Sequence, residues 1–86
     1  MKITRKAIAG SLESSDALVC IEPAAATEIT VTSVVMKQWG DTIRAYAKNF
    51  LDKAGVTAKL DINDRGALEC TLQARLETAL QRASRA

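Results

Sequence analysis

The 86-residue sequence predicts an α+β domain: a small, mostly antiparallel sheet with two helices packed on one face. Three observations lead there. Short stretches in the first half and around residue 60 alternate between apolar and polar residues, the period of a half-buried strand. Two longer stretches repeat apolar residues at three- and four-residue steps, the period of an amphipathic helix. Between them stand the residues that end such elements, among them Pro23, Gly55 and Gly66. No repeat, low-complexity tract or linker divides the chain, so one domain over residues 1–86 is expected.

Residues 3–8 form a weak strand, since Lys6 and Ala7 are poor strand formers. Residues 17–22 are better: Ala17, Leu18, Val19, Cys20 and Ile21 run between Asp16 and Pro23. After a connector, residues 28–33 place Ile29 and Val31 on one face. The expected arrangement is a hairpin with the preceding strand. Ser33 suits a helix N-cap, opening a helix over residues 34–53. Its stripe is Val35, Trp39, Ile43, Tyr46, Phe50 and Ala54, and it includes every aromatic residue of the chain. Gly40 inside that helix costs about 1 kcal/mol relative to alanine and implies a close neighbour. Gly55 is placed as a C-cap. Residues 59–63 alternate as a strand, and Asn63-Asp64-Arg65-Gly66 is a turn. The last segment fits either period, because Leu68, Leu72, Leu76, Ala79 and Leu80 also share one helical face. Its Ala, Leu, Glu, Gln and Arg content decides for a helix over residues 68–82, with a strand over its first few residues as the alternative.

The charge balance, 12 basic against 10 acidic residues, leaves a net +2. That gives no strong steering toward nucleic acid or an anionic membrane. Lys2, Arg5, Lys6, Arg75, Arg82 and Arg85 are the basic residues from which a patch would be built, but no aromatic residue is interleaved with them. No apolar run approaches the ~20 residues of a membrane span, and the basic start is followed by no signal-like stretch. A cytoplasmic protein is expected. Cys20 and Cys70 are expected as reduced thiols on buried faces. Without histidine they make no zinc set, so no metal site is predicted.

The chemically suggestive stretch is polar and lies between two apolar runs: Gly10-Ser11-Leu12-Glu13-Ser14-Ser15-Asp16. The chain has no histidine, so a serine nucleophile here would lack its usual base. Glu13 and Asp16, close together in one small loop, are poor candidates for a two-carboxylate hydrolase. A carrier asks for less. It needs one reachable hydroxyl on a loop flanked by small residues, and Ser11, Ser14 and Ser15 all meet that description. A serine bonding its own turn is the plainer reading of each.

The same seven residues resemble the attachment motif of the acyl carrier (gamma) subunit of citrate lyase. Lys37-Gln38-Trp39-Gly40-Asp41 resembles that family's mid-chain helix motif. Asn63-Asp64-Arg65-Gly66-Ala67-Leu68-Glu69-Cys70 and Ala74-Arg75-Leu76-Glu77 resemble its C-terminal signature. The three motifs occur in order over nearly the whole chain. Trp39 stands where phenylalanine is expected, Ser11 where threonine is commoner, and Arg65 where lysine is usual. Each keeps the chemical type.

The resemblance implies a non-catalytic subunit whose Ser14 carries 2'-(5''-phosphoribosyl)-3'-dephospho-CoA through a phosphodiester. The thiol of that group bears the acetyl or citryl thioester while citrate is cleaved to acetate and oxaloacetate. Gly10, Leu12, Glu13 and Asp16 would support the motif, with Glu13 and Asp16 pointing outward to meet the modifying enzyme. Ser15 is the reserve site; glycine at the matching position in family members favours Ser14. The implied partners are the alpha and beta subunits of the lyase and a holo-carrier transferase, with no nucleic acid and no membrane. The helix bearing Arg75, Arg82 and Arg85 is the expected docking face. A small cofactor-free interaction module, resting on the aromatic stripe, is the competing function.

Overall fold

A computed structural model describes residues 3–33 and 36–84. Its elements run β1 (Ala7–Gly10), β2 (Ala17–Pro23), β3 (Glu28–Ser33), α1 (Met36–Ala54), β4 (Ala58–Asp64) and α2 (Glu69–Ser84). The strands lie in the order β1-β2-β4-β3. β2 is antiparallel to both β1 and β4, and β3 runs parallel to β4. The expected α+β class, with a mostly antiparallel sheet, is what the chain forms.

The expected hairpin between residues 17–22 and 28–33 does not form. β3 pairs instead with β4, in a register that sets Val31 beside Ile62. Residues 24–27 (Ala-Ala-Ala-Thr) lack the Gly or Asn that a tight hairpin turn requires. The 19-residue helix α1 then carries the chain across the sheet, which is how parallel neighbours are joined. β4 thereby becomes a central strand, consistent with its alternation: Ala58, Leu60 and Ile62 are buried while Lys59 and Asp61 are exposed.

Both helices cover the inner face, α1 under β3 and α2 under β1 and β2. Val19, Ile21, Leu60 and Ile62 from the sheet meet Leu51 and Leu76 from the helices, all less than 2% exposed. Each such side chain contributes about 1.5–3 kcal/mol through burial. The centre of α1's inner face is Ile43, Ala47 and Leu51. Tyr46 and Phe50 are only partly buried, packed against the margin of the core. The expected stripe was therefore displaced toward the aromatics, because size outweighed the small Ala47. Val34, Val35 and the Trp39 side chain lie outside the described residues. Gly55 has φ +68°, its N–H donates to Asp52 O (3.1 Å), and Val56 N–H donates to Leu51 O (3.1 Å). This pair of bonds closes α1 as a Schellman cap. The final segment is helical over Glu69–Ser84, starting one residue after the expected Leu68.

Two placements differ from expectation near the edges. The first strand is Ala7–Gly10 rather than residues 3–8. Thr4 N–H (2.9 Å) and Arg5 N–H (3.2 Å) donate to Ala83 O, so this backbone serves the C-terminus of α2 instead of the ladder. The two cysteines are free, yet neither is buried: Cys20 is half-buried on the outer face of β2 and Cys70 is exposed in the first turn of α2. Among the described residues no helix is long and apolar enough to cross a membrane.

Candidate functional site

The polar stretch forms the tip of the β1–β2 hairpin. Gly10 ends β1 with φ +92°, and a Cβ there would stand 1.8 Å from Ala17 O and 3.1 Å from Arg75 Cδ. Only glycine fits so close an approach. Asp16 N–H donates to Glu13 O (3.2 Å), closing a β-turn with Ser14 and Ser15 at its centre. Ser15 has φ +66°, among the described residues the one non-glycine position with positive φ. Serine there carries a cost of about 1–2 kcal/mol that glycine would avoid. Ser15 N–H donates to Arg65 O and Arg65 N–H donates to Asp16 O, both at 2.8 Å. These two bonds hold the turn against the segment that follows β4.

Asp16 is the keystone of the loop. Its Oδ1 accepts from Arg75 Nε (2.9 Å) and Ala17 N–H (2.7 Å), and its Oδ2 accepts from Arg75 Nη2 (3.0 Å) and Ser11 Oγ (2.7 Å). The fork of an arginine matches a carboxylate in this two-pronged way. The Arg75 contact, then Ser11 and Ala17, hold the Asp16 carboxyl well below the usual carboxylate range, so it is ionised at neutral pH and has no free acceptor site for a serine proton. The outward orientation expected for Asp16 is thus incorrect: a carboxylate beside an arginine of the adjacent helix turns toward it. Glu13 is exposed, as expected, with its N–H donating to Ser11 Oγ (3.3 Å).

A second carboxylate shapes the segment that meets the turn. Asp64 is 1% exposed. It accepts from Ala67 N–H (2.9 Å) and from Ser33 Oγ (2.8 Å), tying the end of β4 to the end of β3. Ser33 was expected to cap α1; the residues such a cap would serve begin outside the described chain.

The three candidate serines are separated by these contacts. Ser11 Oγ donates to Asp16 and is half-buried. Ser14 and Ser15 are exposed, and among the described residues neither hydroxyl has a hydrogen-bond partner. Leu12 beside them is 51% exposed. An open apex with a free hydroxyl on a fixed loop fits a bulky covalent group held outside the protein. A cleft of about 90 Å³ between α1 and α2, lined by Ile43, Tyr46, Ala67 and Leu72 among others, falls short of the ~300 Å³ that encloses a nucleotide-sized ligand. A wider depression of about 540 Å³ around Ile3, Pro23, Gly55 and Val56 lies at the other end of the sheet, and among the described residues no titratable side chain lines it.

Arg75 and Arg82, expected on a free docking face, are engaged within the chain. Arg75 holds Asp16, and Arg82 Nη1 donates to Ile8 O (2.7 Å). Lys2 and Arg85 lie outside the described residues. The role of Arg75 escaped the sequence because its partner stands 59 positions away. The available signal was its place in the C-terminal signature, one residue before the buried Leu76.

Comparison with known proteins gives the family. A family model described as the malonate decarboxylase delta subunit (MdcD), of the acyl carrier type, matches residues 4–83. The citrate lyase acyl carrier protein of Haemophilus influenzae (strain PittEE) is 47% identical over 85 residues, covering 98% of this chain and 90% of the relative. The protein of that name from Yersinia enterocolitica is 54% identical over 87 residues, with the same coverage. That from Clostridium perfringens is 47% identical over 87 residues, covering 98% of this chain and 86% of the relative. The chain belongs to the citrate lyase acyl carrier family. It is therefore a carrier subunit and not itself a catalyst. No solved structure matches it.

Proposed function

We propose that this chain, as one carrier domain over residues 1–86, bears 2'-(5''-phosphoribosyl)-3'-dephospho-CoA on Ser14 through a phosphodiester. When bound, that group supplies a thiol on which an acetyl or citryl thioester is held during cleavage of citrate to acetate and oxaloacetate. The chain's own work is presentation. Gly10 and Asp16 fix the hairpin tip, Ser14 offers its hydroxyl at the apex, and the sheet behind it stays unchanged as the carried group moves between sites. Tethering gives the thioester an effective concentration in the millimolar range without release to solvent. The partners in this reading are the alpha and beta subunits of citrate lyase and the transferase that modifies Ser14, in the cytoplasm.

The observation that supports the assignment is the difference between two adjacent serines. Ser15 occupies a positive-φ position with its amide tied to Arg65, a position that demands a backbone conformation more than a side chain. Ser14 is exposed, and its backbone conformation is one any residue adopts. The test is intact mass after incubation with the transferase and the prosthetic-group donor. The unaltered chain gains one group, and Ser14→Ala gains none while keeping its circular dichroism spectrum. Undiminished incorporation into Ser14→Ala would move the site to Ser15.

A further inference from the structure

Arg75 reaches across from α2 to the loop that carries the two exposed serines, although it touches neither. We propose that Arg75, acting through Asp16, is a positioning residue that selects which serine of the turn is modified, presenting Ser14 and withholding Ser15. The inference rests on the reading of Ser14 as the attachment site.

The geometry behind it is a β-turn held at both ends and at the Ser15 amide. Asp16, at its end, is gripped by both prongs of Arg75 at 2.9 and 3.0 Å. Through the same carboxylate, Ser11 at the loop's start is bonded to its end (2.7 Å). Ser15 is held by its amide to Arg65 O, and the Asp16 carbonyl by Arg65 N–H. Among the described residues Ser14 alone in the turn has no hydrogen bond to backbone or side chain. Arg75 therefore sets the frame in which one hydroxyl is the apex.

Attachment forms a bond between Ser14 Oγ and the phosphorus of the phosphoribosyl donor. The hydroxyl proton passes to a base of the transferase. The donor's leaving group departs from phosphorus with its bonding electron pair. In-line attack of this kind is sensitive to about 1 Å in the position of the nucleophile. A transferase that reads a fixed turn accepts the apex hydroxyl and not its neighbour. Releasing Asp16 lets the turn shift, and the hydroxyl of Ser15 then reaches the same place.

The experiment compares the unaltered chain, Arg75→Gln and Arg75→Lys, each also in a Ser14→Ala background. Every protein is incubated with the transferase and donor, and the modified residue is located by peptide fragmentation. The unaltered chain is modified at Ser14 alone, and Ser14→Ala stays blank. In Arg75→Gln the rate at Ser14 falls about tenfold or more and a measurable share of the group appears on Ser15. Ser14→Ala/Arg75→Gln is labelled at Ser15. Arg75→Lys keeps the charge but loses the two-pronged contact, gives the same mixed sites, and decides the matter should Arg75→Gln fail to fold. Exclusive labelling of Ser14 in a folded Arg75 variant, at any rate, overturns the proposal, because a merely structural role lowers the rate without moving the site. Absence of label on the unaltered chain, or label at Ser15 of that chain, overturns the reading of Ser14 itself, whatever the Arg75 variants do.

Discussion

The two loops that flank β2 are built on opposite plans. At one end, residues 11–16 are held by the Asp16 carboxylate, a β-turn bond and two backbone bonds to Arg65. At the other, residues 24–27 connect β2 to β3, and among the described residues no side-chain hydrogen bond reaches them. Both loops are largely exposed, so exposure alone would not tell them apart. What separates them is how much of the rest of the fold is recruited to hold each one. The hairpin tip draws on the turn after β4 and the middle of α2. A loop that only has to connect needs none of this.

The comparison can be broken most severely at Gly10. Gly10→Ala forces a Cβ to within 1.8 Å of Ala17 O, and should destabilise the fold by about 3 kcal/mol, read from the denaturant midpoint. The acid limb of stability probes the keystone. The Asp16 carboxyl has its folded-state pKa below the ordinary value of 3.8, so protonation favours the unfolded chain. Its stabilisation is complete above about pH 4 and declines as pH falls further. Asp16→Asn should lower the melting temperature at pH 7 and flatten its fall between roughly pH 4 and pH 2, seen by thermal melts across that range. A smaller change of opposite sign is expected at the turn. Ser15→Gly relieves the positive-φ residue and should stabilise by about 1 kcal/mol, with Ser14 still modified in the mass assay. The connector should register least: Ala25→Ser shifts stability by under about 0.5 kcal/mol. A large loss there would mean that the two loops are not the opposites described.

The same contrast marks what sequence could reveal. Period and punctuation located both helices, Gly55 as a cap and the inner faces of β2 and β4, because each is decided by residues within one turn or one pleat of each other. The pairing of β3 was misread, since a strand's own alternation does not say whether its partner precedes or follows it. The α1 crossover decides it, because a helix between two strands joins parallel neighbours. The motif carried the loop as a unit, yet the inward turn of Asp16 depended on Arg75, and the burial of Asp64 on Ser33, contacts spanning 59 and 31 positions. Polar pairings of that span have no period to betray them.

The bonds from Thr4 and Arg5 to Ala83 carry a different consequence. Thr4 Oγ1 also donates to Ala83 O (3.3 Å), a contact between residues 79 positions apart. The chain is thus nearly a closed ring, sealed at the pole away from Ser14. Ring closure of that length is entropically among the dearest contacts the molecule makes, and it should form late in folding. A short linker from residue 84 back to residue 3, with new termini opened between residues 25 and 26, would yield a circular permutant. In that permutant the seal would be local and the hairpin tip would keep every partner it has now.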